Sequence, residues 1–139
     1  MTISLTLPWP PSVNRYYRSI SRGALAGRVL ISEEGRAYRL AVDAVVREAK
    51  ARKCYDVPLS VAILASPPDR RARDLDNLFK SVLDSLQHAG VYLNDSQIDR
   101  LLIERGPIVK GGGLVVSVEP LVVVDTGWRV ALGDEVQRA

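Results

Sequence analysis

The sequence predicts a mixed domain of the α/β (α+β) class, a single-layer mixed β-sheet with two main helices packed against it in the order β-α-β-α-β-β. Three observations predict it. Residues 2–7 alternate apolar and polar; residues 33–53 and 74–89 each carry an apolar stripe at helical spacing; and residues 58–65, 98–105 and 113–121 read as further strands.

In residues 2–7, Ile3, Leu5 and Leu7 fall on one face and Thr2, Ser4 and Thr6 on the other, until Pro8, Pro10 and Pro11 end the strand. Residues 12–31 keep no period and are rich in Arg, Tyr, Gly and Ser, which predicts a long surface loop. Ser32 then reads as a helix N-cap with Glu33 and Glu34 in the positive first turn, and Ala37, Leu40, Ala41, Ala44 and Val45 supply the stripe. The run 58–65 is a second strand with Leu59, Val61 and Ile63 inward. The clearest period follows, as Leu75, Leu78, Phe79, Val82, Leu83 and Leu86 repeat along the second helix and Gly90 stands just past its end as a C-cap. The last two strands are expected to form an antiparallel hairpin across the stretch from Pro107 to Gly113.

The 139 residues are 47% hydrophobic and 25% charged, enough for one core without covalent staples. One cysteine, Cys54, excludes an intramolecular disulfide and a cysteine-rich metal site. No apolar run reaches membrane-spanning length and the N-terminus lacks the pattern of a signal peptide, so a cytoplasmic location away from membranes is expected. Net charge is only +3, yet residues 1–30 hold Arg15, Arg18, Arg22 and Arg28 and no acid, whereas the last 29 residues hold four acids and two bases. That distribution suits a polyanionic partner and equally a solvated basic surface.

Candidate chemistry concentrates in RARDLDNLFK, residues 71–80. Asp74 and Asp76 stand where loop becomes helix, and Asp76 and Lys80 share the face opposite the apolar stripe. The same residues also suit an ordinary charged helix start, since acids are favoured in a first turn and Asp76/Lys80 is a common i, i+4 pair. Asn94-Asp95 adds a third carboxylate and is also a good turn sequence. Three carboxylates without a second histidine describe an all-oxygen site for Mg²⁺ or Mn²⁺, if a metal binds. Such an ion would stabilise charge on a phosphodiester and acidify a bound water. Arg70, Arg71, Arg73 and Lys80 would offset the repulsion between those acids and a phosphate backbone. In residues 7–18, LPWPPSVNRYYR, arginines alternate with tyrosines, the former suited to phosphate and the latter to base stacking or phosphate contact. Trp9 and the prolines there read as a rigid, core-packed exit from the first strand. His88 suits the helix C-terminus better than catalysis, and Lys110-Gly111-Gly112-Gly113 is not a phosphate-binding loop because its lysine precedes the glycines.

LPWPPSVNRYYR, RRARDLDNLFK, LNDSQI (93–98) and KGGGLVVSV (110–118), in this order and spacing, resemble the RusA family of Holliday-junction resolvases over residues 3–120. The resemblance implies a homodimeric, Mg²⁺-dependent endonuclease that resolves four-way DNA junctions by paired nicks in recombination and repair, of a kind frequent in phages and prophages. It implies a resolvase-like domain at 1–120 and leaves 121–139 as a C-terminal extension of unassigned role. It assigns Asp74, Asp76 and Asp95 as metal-binding and catalytic aspartates, Lys80 as the catalytic lysine, and Arg73 and the Arg15–Arg18 loop as DNA contacts. With the residue reading, the expected DNA-binding set is Asn14, Arg15, Tyr16, Tyr17, Arg18, Arg70, Arg71 and Arg73. The family commonly has two adjacent aspartates where this chain has Asn94-Asp95, which leaves Asp95 as the one charged ligand there. The competing expectations are a branched-DNA binding module without catalysis and a nuclease for flaps or other forks.

Overall fold

The computed structural model describes residues 2–122. Four strands form one mixed sheet in the order β1-β6-β4-β5: β1 is Ile3–Leu7, β4 Leu59–Ser66, β5 Ile98–Arg105 and β6 Gly113–Pro120. Strand β6 runs antiparallel to both β1 and β4, while β5 lies parallel to β4 on the edge. Two long helices, α2 (Glu33–Glu48) and α3 (Asp76–His88), pack on the sheet. Between β1 and α2 come the single turn α1 (Val13–Tyr16) and a two-stranded antiparallel hairpin of β2 (Tyr17–Ser19) and β3 (Val29–Ile31).

The alternation in the strands places the core. Leu5, Val116 and Ile63 lie in one cross-strand row, as do Ile3, Val118 and Val61, and all six are buried. Against that face α3 sets Leu78, Val82, Leu83 and Leu86, the stripe read from the sequence. The opposite face leaves Leu64, Leu102 and Val115 exposed, so the sheet is covered by helices on one side. This fold agrees with the predicted class.

Three expectations are corrected. Strands β5 and β6 are not a hairpin. The connection after β5 crosses the end of β4, with Gly106 N–H donating to Ala65 O and Val109 N–H to Pro67 O, and delivers β6 to β4's other edge. Strand β4 presents Leu59, Val61, Ile63 and Ala65 to the core, and the more apolar strand takes the interior position. On α2, burial falls on Tyr38, Val42 and Val46, with Val45 beside them, whereas Leu40 is 72% exposed and Ala37, Ala41 and Ala44 face outward. Tyr38 and the valines at i, i+4 and i+8 cover more sheet than alanines can, so they set the rotation of the helix. Finally, residues 12–31 are organised by α1 and the hairpin. Gly35 makes that docking possible, since a Cβ there would stand 2.4 Å from Tyr16 O. Of the expected extension at 121–139, residues 123–139 lie outside the described residues; Leu121 N–H donates to Pro58 O.

Candidate active site

The loop entering α3 is tied down by Asp69. Its carboxylate accepts from Arg73 Nη1 at 2.7 Å and from Arg71 N–H at 2.9 Å, and these bonds, the Arg73 one foremost, hold its pKa down at about 2. Arg73 also lies over the Trp9 ring, 5.7 Å from the centroid, and its carbonyl accepts from Arg105 Nη2 at 2.6 Å. The loop therefore leaves a fixed base before the helix begins. Leu75 and Leu78 turn to the core, and Asp74 and Asp76 are left exposed on the solvent side. Arg70 and Arg71 are exposed, and Arg73 is half-buried.

One turn along α3 from Asp76, the Lys80 ammonium stands 3.6 Å from the Asp95 carboxylate. Asp95 begins a 3-10 turn, Asp95–Gln97, whose geometry is set by its neighbours. The Asn94 side-chain oxygen accepts from Ser96 N–H at 2.9 Å, and Gln97 Oε1 accepts from Asn94 N–H at 2.8 Å, closing a reciprocal cap. Gln97 Nε2 donates to Tyr55 O and Val57 O, and Gln87 Oε1 accepts from Asp95 N–H at 2.8 Å. Position 94 is thus a capping position, a role that asparagine and aspartate both fill.

As ligands, the carboxylates of Asp74, Asp76 and Asp95 would suit a hard divalent cation. Among the described residues, no three Asp, Glu, His or Cys side chains are gathered into a preformed metal cluster. Asp95 is engaged by Lys80 instead.

Segment 13–18 lies beside α3. Asn14, Arg15 and Arg18 are exposed and Tyr17 is half-buried. Tyr16, expected at the DNA surface, is fully buried and cannot stack on a base. Its hydroxyl donates to Asp84 and accepts from Arg39 Nε at 2.8 Å, and Arg39 Nη2 reaches Asp84 at 2.6 Å. Burial and the Asp84 bond push the Tyr16 pKa up to about 12. The reason for the correction is chemical: a tyrosine can bury its ring and satisfy its hydroxyl internally, which the neighbouring arginines cannot do so cheaply. Tyr17 packs edge-to-face on Tyr16, centroids 4.8 Å apart. Burial raises its pKa first, and its hydroxyl also feels the charges of Asp84, Lys80, Arg39 and Asp95. The N-terminal segment therefore borders the Lys80–Asp95 pair.

Arg39, Asp84, Gln87 and Gln97 were not singled out from sequence. Asp84 continues the four-residue step Asp76-Lys80-Asp84, and Asn94…Gln97 carries a capping-box spacing, so both left a readable signal.

The family model described as "Endodeoxyribonuclease RusA" matches residues 8–119. This chain belongs to the RusA family. It is 43% identical over 117 residues to the crossover junction endodeoxyribonuclease RusA of Shigella sonnei (strain Ss046), covering 84% of this chain and 93% of that protein. The Escherichia coli (strain K12) protein of the same name is 42% identical over the same shares. That of Enterobacteria phage 82 is 41% identical, again over 84% and 93%, which places a RusA relative in a phage. The RusA match spans the N-terminal arginine segment, the entry to α3 and the Asp95 turn, so the resemblance read from four motifs agrees with similarity along the domain.

Proposed function

We propose that this RusA-family endonuclease resolves four-way DNA junctions by divalent-metal-dependent phosphodiester hydrolysis, with Asp74, Asp76 and Asp95 holding Mg²⁺ or Mn²⁺. The observation that carries the reading is the Lys80–Asp95 approach of 3.6 Å, one helical turn from Asp76. A bound divalent cation there supplies Lewis acidity and a more acidic water. Lys80, half exposed, is free to pass from Asp95 to a phosphate or leaving oxygen and stabilise the charge that develops. Arg15, Arg18, Arg70, Arg71 and Arg73, with Asn14 and Tyr17, contact the DNA around it, the arginines through phosphate.

Resolution without gaps needs two nicks, and a domain with one acidic site provides them most simply as a C₂ homodimer. No helix among the described residues is long and apolar enough to cross a membrane.

The test incubates four-way, three-way and linear duplex DNA with the enzyme in Mg²⁺ or EDTA, alongside Asp74→Asn, Asp76→Asn and Asp95→Asn. Cutting of the four-way junction only in Mg²⁺, lost in each variant while the junction gel shift persists, is the expected result. Near wild-type cutting by two of the three variants overturns the metal-site assignment. Binding without cleavage in Mg²⁺ indicates a non-catalytic module, and faster cutting of three-way DNA indicates a fork nuclease. Light scattering at about twice the 15.3 kDa chain mass is expected for the dimer.

A further inference from the structure

Beside the acidic residues lies a cavity of about 550 Å³, between the exit from β1 and the start of α3. Its size falls in the range that holds a small ligand unit. Trp9, Pro10 and Pro11 form one wall, with the Arg73 guanidinium over the Trp9 ring; Arg15, Asp74 and Asn77, the last in the first turn of α3, also line the cavity. The Asn77 side-chain amide makes no hydrogen bond to another described residue, and neither does the Arg15 guanidinium. A half-buried amide with donor and acceptor both free, in one cavity with an indole, two prolines and the cations of Arg15 and Arg73, has the parts needed for a nucleotide. The wall suits a base face, the amide its hydrogen-bonding edge, and Arg15 its phosphate.

We propose that this cavity receives one nucleobase, unstacked from the junction next to the cut phosphodiester, and that Asn77 reads its edge. The proposal rests on the reading that Asp74 and its partners form the cutting site, because Asp74 lines the same cavity. Unstacking costs least where pairing is already interrupted, as at a crossover point. The energy of a bidentate amide-to-base contact would then enter the cleavage rate as a preference for certain bases beside the cut.

The test is a cycle between protein and DNA. Cleavage rates of wild type and Asn77→Ala are measured on four-way junctions that differ only in the nucleotides flanking the cut, and on the same junctions with single abasic sites at those positions. Alanine is the best helix former, so the substitution keeps α3 intact. The expected result is a loss of about tenfold to a hundredfold on the favoured sequence, the scale of one good base contact, with base preference flattened. At one flanking position the abasic junction should be cut equally by both enzymes. The same loss on intact and abasic junctions at every position, or no loss on any, overturns the pocket. Failure of the underlying site reading would appear separately, as wild-type cutting of these junctions by Asp76→Asn.

Discussion

The phenol of Tyr16 donates to the Asp84 carboxylate across the space between α1 and α3, and Arg39 on α2 meets the same oxygen at 2.6 Å. One carboxylate thereby registers the arginine-bearing segment and α2 against the helix that carries Asp76 and Lys80. Asp84→Ala should cost about 2 kcal/mol, because a hydroxyl and a guanidinium both lose a charged partner. The pair keeps about a fifth of its side-chain surface exposed, so the loss should stay below that of a fully buried ion pair. For a domain of this size the melting temperature should fall by roughly 5–10 °C, and Asp84→Asn should fall less because an acceptor survives. Unchanged melting in both variants would show that the network adds nothing to stability.

Lys80→Ala should slow cleavage of saturating junction by at least about a hundredfold, the scale of one preorganised electrostatic group, while the gel shift changes little. Arg15→Ala and Arg18→Ala should do the reverse, weakening binding and reducing its salt dependence by about one unit of slope per lost phosphate contact. Single-turnover rates beside binding curves at several salt concentrations separate the two classes. A lysine variant that cut normally would return Lys80 to the role of a surface ion-pair partner.

The cap at Asn94 makes a third expectation. Asn94→Asp retains an accepting oxygen for Ser96 N–H and should leave stability nearly unchanged, whereas Asn94→Ala should cost about 1 kcal/mol. Because Asp95 opens the same turn, Asn94→Ala should also raise the Mg²⁺ concentration needed for half-maximal cutting. Urea melts and Mg²⁺ titrations of the cleavage rate check both halves, and equal behaviour of the two variants would remove the capping role.

The sequence was most readable where one periodicity had one interpretation. The α3 stripe of Leu78, Val82, Leu83 and Leu86 had no rival, and α3 lies where that stripe puts it. On α2 the stripe read through Ala37, Leu40, Ala41 and Ala44 is not the buried one, because Tyr38, Val42 and Val46 bury the larger surface. The hairpin expected of β5 and β6 failed for a non-local reason: nothing within either strand states that β4 will lie between them. At the candidate site, the exposed acids and Lys80 were legible because the α3 stripe fixes the outward face. Tyr16 was not, since its inward turn depends on Arg39 and Asp84, distant in sequence and adjacent only in the fold.

The buried tyrosines make the fold sensitive to alkali. Tyr16 has its pKa raised to about 12 by burial and by its bond to Asp84, and burial raises Tyr38 and Tyr92 further. An unfolded tyrosine ionises near pH 10, so between about pH 10 and 12 the folded chain retains a proton on Tyr16 that the unfolded chain has lost. The stabilisation is complete below the unfolded value, declines as pH rises through this window, and is gone above the folded one. Tyrosinate absorbance should therefore rise in a steep step that coincides with loss of helical circular dichroism, since ionisation requires the core to open. Tyr16→Phe should be less stable at neutral pH, having lost a partner for Asp84, but its stability should decline less steeply across the window because one of the linked protons is absent. Smooth ionisation of all five tyrosines near pH 10 with the helical signal intact would show that Tyr16, Tyr38 and Tyr92 are accessible to solvent and contradict their places in the core.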